Sequence, residues 1–389
     1  MKKYFGLMIV TLLGLASCTM TTEENEEVVN ADYVQDVFVK FENVEQTRPG
    51  TRADEAGKTN SDKVAFASGY LFLVTNQDNI KLCYRITPTG GAATNLAQRV
   101  INVDDFWKDA SKPAGYAFQN ISGEVKKVYI IGNMPDAVAE ATVRSKTTLT
   151  ELKDIAVPLT GQSDIEHVTM DGIGALSAVG GDETKQEVSV QLSPLCSRIE
   201  IAKITATGAV SDYKLRAIYV SHFYSEMALD EDNNPATQQL FVLGNSGGAD
   251  YAATYQLMCD EADVNANPDA VLTTTVSKVA TPAHGVWGYQ FFPGIDADRI
   301  SPRVVVKLTD IASTIGSYAS PQYLNIRGFK TSSAPNAQPM GLARGQVYKI
   351  EDLQFKESDL SDVPNPADIS LTVKVSVNPW TITVVKPVM

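Results

Sequence analysis

Cysteine and histidine are scarce in this chain of 389 residues, with four of the first and three of the second. After Cys18 only Cys83, Cys196 and Cys259 remain, odd in number and far apart, and none forms a Cys-x-x-Cys pair. Zinc ribbons and thioredoxin-type redox sites are therefore excluded. Each of the three lies in or beside an apolar run, which reads as small buried thiols; one disulfide plus a free thiol is the alternative. Phosphate loops, paired His-Glu zinc motifs and dinucleotide fingerprints are also missing. Cations are outnumbered, 33 against 46 acidic residues for a net charge of −13. That balance argues against nucleic acid, whose phosphates need clustered cations, and against a body lying on anionic lipid. Helical periodicity is scarce too: Thr148 to Ile155, with a threonine cap and apolar residues three apart, predicts one short helix.

The N-terminus is the first strong feature. Lys2-Lys3 precedes an apolar run from Tyr4 to Gly14, and Leu15-Ala16-Ser17 leads into Cys18. This is the three-part build of a secretory signal, too short for a permanent span. Leu-Ala-Ser-Cys resembles a bacterial lipobox, so Cys18 is expected to carry lipid; an ordinary signal cut nearby is the alternative. Thr19 to Asn30 is polar and acidic and reads as a tether. Val37, Val39 and Phe41 then alternate with Phe38, Lys40 and Glu42, a strand pattern. Thr47 to Gly57 follows, a small, polar, Gly- and Pro-bearing stretch of the kind proteases cut. Arg48 is followed by Pro49, which fits a trypsin-like site poorly, whereas Arg52 is followed by Ala53. A cut by an arginine-specific protease is expected after Arg52, the alternative being an uncut linker.

The body reads as short strands joined by Gly, Pro, Asn and Asp turns. Candidates are Lys63 to Val74, Val125 to Ile131, Val188 to Leu192, Ile199 to Ile204, Tyr213 to Phe223, Val286 to Phe292 and Val304 to Leu308. The fold class is mainly β, with two sandwich-like β-domains in tandem and few short helices. Turn residues between Gly161 and Lys185 suggest a seam, with the second domain opening near Glu187.

The C-terminus is the second strong feature. Ile369, Leu371, Val373, Val375 and Val377 are apolar at a spacing of two; after Pro379 the parity switches to Trp380, Ile382 and Val384. This predicts two strands hinged at Asn378-Pro379, behind the proline-bearing spacer Ser361 to Asp368. Such a segment either closes its own domain or adds a strand to a neighbour's sheet.

Catalytic look-alikes do not hold up. Gly244-Asn245-Ser246-Gly247-Gly248 fits Gly-x-Ser-x-Gly but lacks the following helix, and His167, His222 and His284 have no distinguishing surroundings. Asp230-x-Asp232-x-Asn234 and Asp263-x-Asn265-x-Asn267 start like calcium loops. Pro235 and Pro268 stand where glycine belongs, and Phe241 and Thr274 where the closing glutamate belongs. No enzyme, metal or cofactor is expected.

In order along the chain stand the lipobox ending at Cys18, Arg52 after a strand, Val128-Tyr129-Ile130-Ile131-Gly132-Asn133, Leu195-Cys196-Ser197-Arg198-Ile199-Glu200-Ile201, Ala343-Arg344-Gly345-Gln346-Val347-Tyr348-Lys349-Ile350 and Val375-Ser376-Val377-Asn378-Pro379-Trp380. With these the chain resembles the Bacteroidales fimbrillins, pilus subunits of the FimA type (type V pilins). The resemblance implies transthyretin-like domains and a division into signal peptide 1–17, lipidated propeptide with first strand 18–52, N-terminal domain 53–186 and C-terminal domain 187–389. It also implies assembly by strand exchange. A lipoprotein at the cell outer membrane is cut after Arg52, the strand bearing Val37, Val39 and Phe41 leaves, and a neighbour's tail enters. Leu371, Val373, Val375, Val377, Trp380 and Ile382 would supply the entering side chains. The implied partners are further copies of the chain or related fimbrillins, the arginine-specific protease, and the membrane through the lipid. The implied function is a structural subunit of surface fimbriae supporting adhesion and biofilm formation. A tip or anchor subunit and a glycan-binding surface lipoprotein are the alternatives, although Trp107, Trp287 and Trp380 are scattered.

Overall fold

A computed structural model describes residues 33–42, 44–47, 63–107, 115–162, 168–229, 240–244, 251, 256–262, 272, 277–283, 285–293, 302–331, 341–367 and 370–385. The expected signal peptide, Cys18, Arg52 and Ala53 lie outside these residues. So do Ser246, both calcium-like segments, His167 and His284.

Strands dominate, as the period-two patterning requires. The two α-helices among the described residues, Glu140–Arg144 and Leu149–Lys153, have five residues each. The second is the helix predicted from Thr148, whose hydroxyl accepts the Glu151 N–H at 3.2 Å, satisfying one of the donors a helix start leaves free.

The first half of the molecule is built on two sheets. One has four strands, in the order Ser177–Val179, Asp182–Val190, Val34–Phe41 and Gly115–Ser122. The other has six, in the order Ser193–Pro194, Met170–Ala175, Val125–Gly132, Gly69–Thr75, Ile80–Thr87 and Val100–Asn102. Aromatic rings join the layers: Phe118 of the first sheet meets Tyr84 of the second with centroids 4.9 Å apart. Asn133 closes the strand Val125–Gly132 at a positive φ of 52°, which asparagine tolerates better than most residues. Its amide donates to the carbonyls of Ala65 (2.6 Å) and Val168 (3.1 Å), and its oxygen accepts the Ala67 N–H at 3.0 Å.

The segment 161–185, where a seam is expected, contributes strands to both of these sheets. The segment supplies the strands Met170–Ala175 and Ser177–Val179 and the start of Asp182–Val190. Gly172 and Gly174 are there because the neighbouring chain passes close. A Cβ on Gly172 would lie 2.2 Å from the Gln191 carbonyl oxygen, and one on Gly174 2.5 Å from a Val188 methyl. Position 187, the expected domain start, falls within the Asp182–Val190 strand. The chain first enters the other group of sheets at Ser197–Ile201.

The second half contains a five-stranded sheet in the order Cys259–Glu261, Val210–Ser221, Arg303–Ser313, Gln322–Lys330 and Leu371–Lys374. A four-stranded sheet runs Trp287–Phe291, Ser197–Ile201, Gln346–Ile350 and Ser376–Pro379. A three-stranded sheet joins Val279–Ala280, Ile204–Ala206 and Leu353–Phe355. Arg198 and Glu200 form a buried ion pair at 2.8 Å on the Ser197–Ile201 strand, whose five residues are all buried. Cys83 and Cys196 are buried free thiols and Cys259 is half-buried. Burial pushes the Cys83 thiol up to about 11, well away from the reactive thiolate.

Three features tie the halves together. The strand Glu226–Ala228 pairs with Ala156–Pro158. Arg344 reaches from the second half to the first: its guanidinium donates to the Ser193 carbonyl at 2.7 Å and to the Pro194 carbonyl at 3.1 Å, and it pairs with Asp171. The third tie is a parallel sheet in which the C-terminal strand Thr381–Val385 lies between Val44–Thr47 and Lys63–Ala65.

Candidate functional site

The strand Val34–Phe41 occupies the interior of its sheet, with hydrogen-bonded neighbours on both sides. It runs parallel to Asp182–Val190, placing Val37 beside Gln186 and Val39 beside Val188. It runs antiparallel to Gly115–Ser122, placing Val37 beside Phe118 and Val39 beside Tyr116. Alternation decides which side chains face the core: Gln35, Val37, Val39 and Phe41 are buried, while Val34 and Asp36 are exposed. Phe41 packs between Phe66 and Phe106, with centroids 5.3 Å and 5.2 Å away. Burial of Val37, Val39 and Phe41 contributes roughly 5–9 kcal/mol at about 1.5–3 kcal/mol per side chain, an upper figure.

The ends of the strand are held by polar contacts. The Gln35 amide donates to the carbonyls of Val125 at 2.9 Å and Ser122 at 3.1 Å. The Tyr33 carbonyl accepts the Gly123 N–H at 3.1 Å, and the Tyr33 ring covers Gly123, where any Cβ would collide with it. The Tyr33 hydroxyl donates to the Glu183 carbonyl, and Lys40 pairs with Glu187 across the parallel ladder. Periodicity flagged Val37, Val39 and Phe41. It passed over Gln35, a polar residue on the buried face whose role depends on carbonyls about 90 positions away. Of the groove walls, Gly115–Ser122 is not among the predicted strands, and of Asp182–Val190 only the end from Val188 is.

The C-terminal segment is folded onto its own chain. Leu371–Lys374 pairs parallel with Gln322–Lys330, Ser376–Pro379 antiparallel with Gln346–Ile350, and Thr381–Val385 with the two segments named above. Three strands therefore replace the two predicted, and the breaks fall at Val375 and Trp380. Both residues are buried, and their N–H groups donate to the Lys330 carbonyl (2.8 Å) and the Gly345 carbonyl (3.0 Å). The chain changes sheet at each, so the single hinge at Asn378-Pro379 is corrected. Val373, Val375 and Trp380 are buried, Leu371 and Val377 are half-buried, and Thr372, Lys374, Ser376 and Asn378 are exposed. Of Ile382 only the backbone is described; it lies beside Val44 and Val64.

The spacer before this segment is docked. Arg303 and Arg327 both donate to the Asn365 side-chain oxygen, at 2.9 Å and 3.3 Å, and the Asn325 amide donates to the Pro364 carbonyl at 2.7 Å. Nearby His222 is buried, and burial together with these two guanidinium groups lowers its pKa to about 4. Among the described residues, no group of three or more His, Cys, Asp or Glu is placed to hold a metal ion, and no helix is long and apolar enough to cross a membrane.

This arrangement, a two-part β molecule whose N-terminal strand sits inside its own first sheet, defines a class by fold. No family profile matches the chain, and no curated protein matches its sequence. Solved structures do match. The crystal structure of a fimbrilin (fimA) from Porphyromonas gingivalis W83 superposes with a TM-score of 0.53 at 12% identity, covering 90% of this chain and 98% of that one. A protein from Parabacteroides distasonis ATCC 8503 with a provisional cell-adhesion assignment gives 0.53 at 10% identity, covering 90% and 100%. One from Bacteroides eggerthii DSM 20697, similarly assigned, gives 0.52 at 16%, covering 90% and 98%. The chain has the mainly β fold of the Bacteroidales fimbrillin-like proteins.

Proposed function

We propose that the chain is a structural subunit of surface fimbriae, exported as a lipoprotein precursor and polymerised head to tail by strand exchange after a cut at Arg52. The observation that carries this reading is the position of Val34–Phe41. Although interior to its sheet, it lies entirely on the N-terminal side of Arg52, so one backbone cut makes it removable. Its loss strips two ladders of partners and opens an apolar slot. Each buried N–H or C=O left without a partner costs about 1–3 kcal/mol, so the slot has a strong demand for a strand.

The tail answers that demand by pattern. Leu371, Val373, Val375 and Val377 repeat the spacing of Gln35, Val37, Val39 and Phe41, with polar residues on the other face. A donor of this kind gains affinity from main-chain bonds and selectivity from alternate side chains. A strand given by each subunit to the next is a heterologous contact that does not close on itself, hence an open filament. The likeness to a fimbrilin and to proteins assigned to cell adhesion supports the same reading, with lipid on Cys18 holding the precursor at the outer membrane.

An arginine-specific protease added to the precursor tests this. The expected product is an SDS-resistant ladder whose subunits begin at Ala53. Arg52→Ala should leave full-length lipoprotein and little polymer, and removal of residues 369–389 should abolish the ladder without preventing the cut. Monomeric cut material, or ladders that survive the deletion, would overturn the reading.

A further inference from the structure

The segment before Arg52 contains a second strand, Val44–Thr47, which belongs to a different sheet from Val34–Phe41. It pairs instead with the far end of the chain: Val44, Glu45, Gln46 and Thr47 stand beside Ile382, Thr383, Val384 and Val385. We infer that Val44–Thr47 is a latch on the C-terminal donor segment, so that one cut after Arg52 both empties the acceptor groove and uncovers the donor. The inference rests on the strand-exchange reading above and adds a second role for the discarded piece.

The sheet orders carry the argument. Leu371–Lys374 is the last strand of the five-stranded sheet and Ser376–Pro379 the last strand of its four-stranded sheet. Among the described residues each has one partner strand and can leave by breaking one ladder, the situation of any edge strand. Of the three tail strands, Thr381–Val385 is the one that lies between two partners among the described residues, Val44–Thr47 and Lys63–Ala65. Of these, Lys63–Ala65 stays with the mature chain and Val44–Thr47 lies on the side removed by the cut. Before the cut the tail is pinned at its last strand. After it, all three tail strands are edge strands and the tail can peel from its end inward. An uncut precursor thus has neither an open acceptor nor a free donor.

Amide hydrogen exchange on the intact, uncut precursor reads the latch without any polymerisation. In a Glu45→Pro/Gln46→Pro variant, which removes two backbone donors from the latch strand, amides of residues 381–385 should exchange about tenfold faster or more. Those of residues 34–41 should keep their protection. Unchanged exchange at 381–385 would overturn the inference. Should the variant lose protection throughout, a relocated cut decides. A sequence-specific protease site placed at Asn43 of an Arg52→Ala chain frees Val34–Phe41 but leaves the latch attached, whereas a cut at Arg52 frees both. Both cut proteins should take up a synthetic peptide of residues 369–389. Ladder formation should be at least tenfold weaker after the Asn43 cut, and equal ladders would remove the latch. If neither protein takes up the peptide, the strand-exchange reading itself fails, while the exchange rates at 381–385 still decide whether the two ends are clamped.

Discussion

On the processing proposed above, Phe41 would contribute to the precursor and not to the cut subunit. It fills the space between Phe66 and Phe106. Phe41→Ala should lower the stability of the uncut precursor by about 3–4 kcal/mol through lost burial and a residual cavity, read from the urea midpoint. If the proposed cut occurs, the same substitution should leave assembled filaments unchanged, because a subunit beginning at Ala53 would no longer contain it. Had Phe41 remained in the filament, both samples would shift together. His222 makes a second, pH-dependent contribution. Its folded pKa of about 4 lies below the ordinary 6.5, so between these values the unfolded chain binds more protons than the folded one. Its contribution is complete above pH 6.5, declines as pH falls toward 4, and amounts to an order of 2 kcal/mol. His222→Gln should therefore reduce the stability difference between pH 7 and pH 4.5 by about that amount, as measured by urea unfolding at the two pH values.

At the scale of elements, alternation was readable wherever a strand has one face in the core. Val37, Val39 and Phe41 and the tail residues Val373 and Val375 are buried as their spacing indicates. The pattern misled at Met170–Ala175, where glycine is required by the close passage of 188–191 and was read as a turn signal. Gly172→Val places a residue with high strand propensity in a strand, yet it should destabilise the protein by about 2–3 kcal/mol through overpacking. A thermal melt checks the sign, and a rise in stability would mean that the approach of Gln191 is not restrictive. Inward-facing polar residues carry no periodic mark either. Gln35 and Asn133 face inward because carbonyls from distant strands receive their amides, and no local rule announces such partners.

At the scale of the whole molecule, the two groups of sheets share one contiguous apolar core that runs from Val37 to Trp380. Arg344 crosses between them to Asp171, which also accepts the Tyr129 hydroxyl at 2.6 Å. Arg344→Met would leave that carboxylate buried without its cation. The expected cost is about 3 kcal/mol, together with a calorimetric transition that broadens or splits as the halves uncouple; a single sharp transition at the original temperature would show that the clamp is dispensable. The segment Ala343 to Ile350 was legible as a motif in the sequence, but its role as a bridge to Asp171 was not. The amino-acid order alone determined the inward-facing apolar residues of strands with one face in the core, such as Val37, Val39, Phe41, Val373 and Val375, because successive side chains of an extended chain point to opposite sides. Which strands become neighbours was decided only in the tertiary structure. Lys40 meets Glu187 across 147 positions, and Val44–Thr47 meets the strand that ends at Val385. Such ladders draw on backbone groups that every residue carries alike, and their partners are selected by the apolar surfaces that come together when the whole core closes.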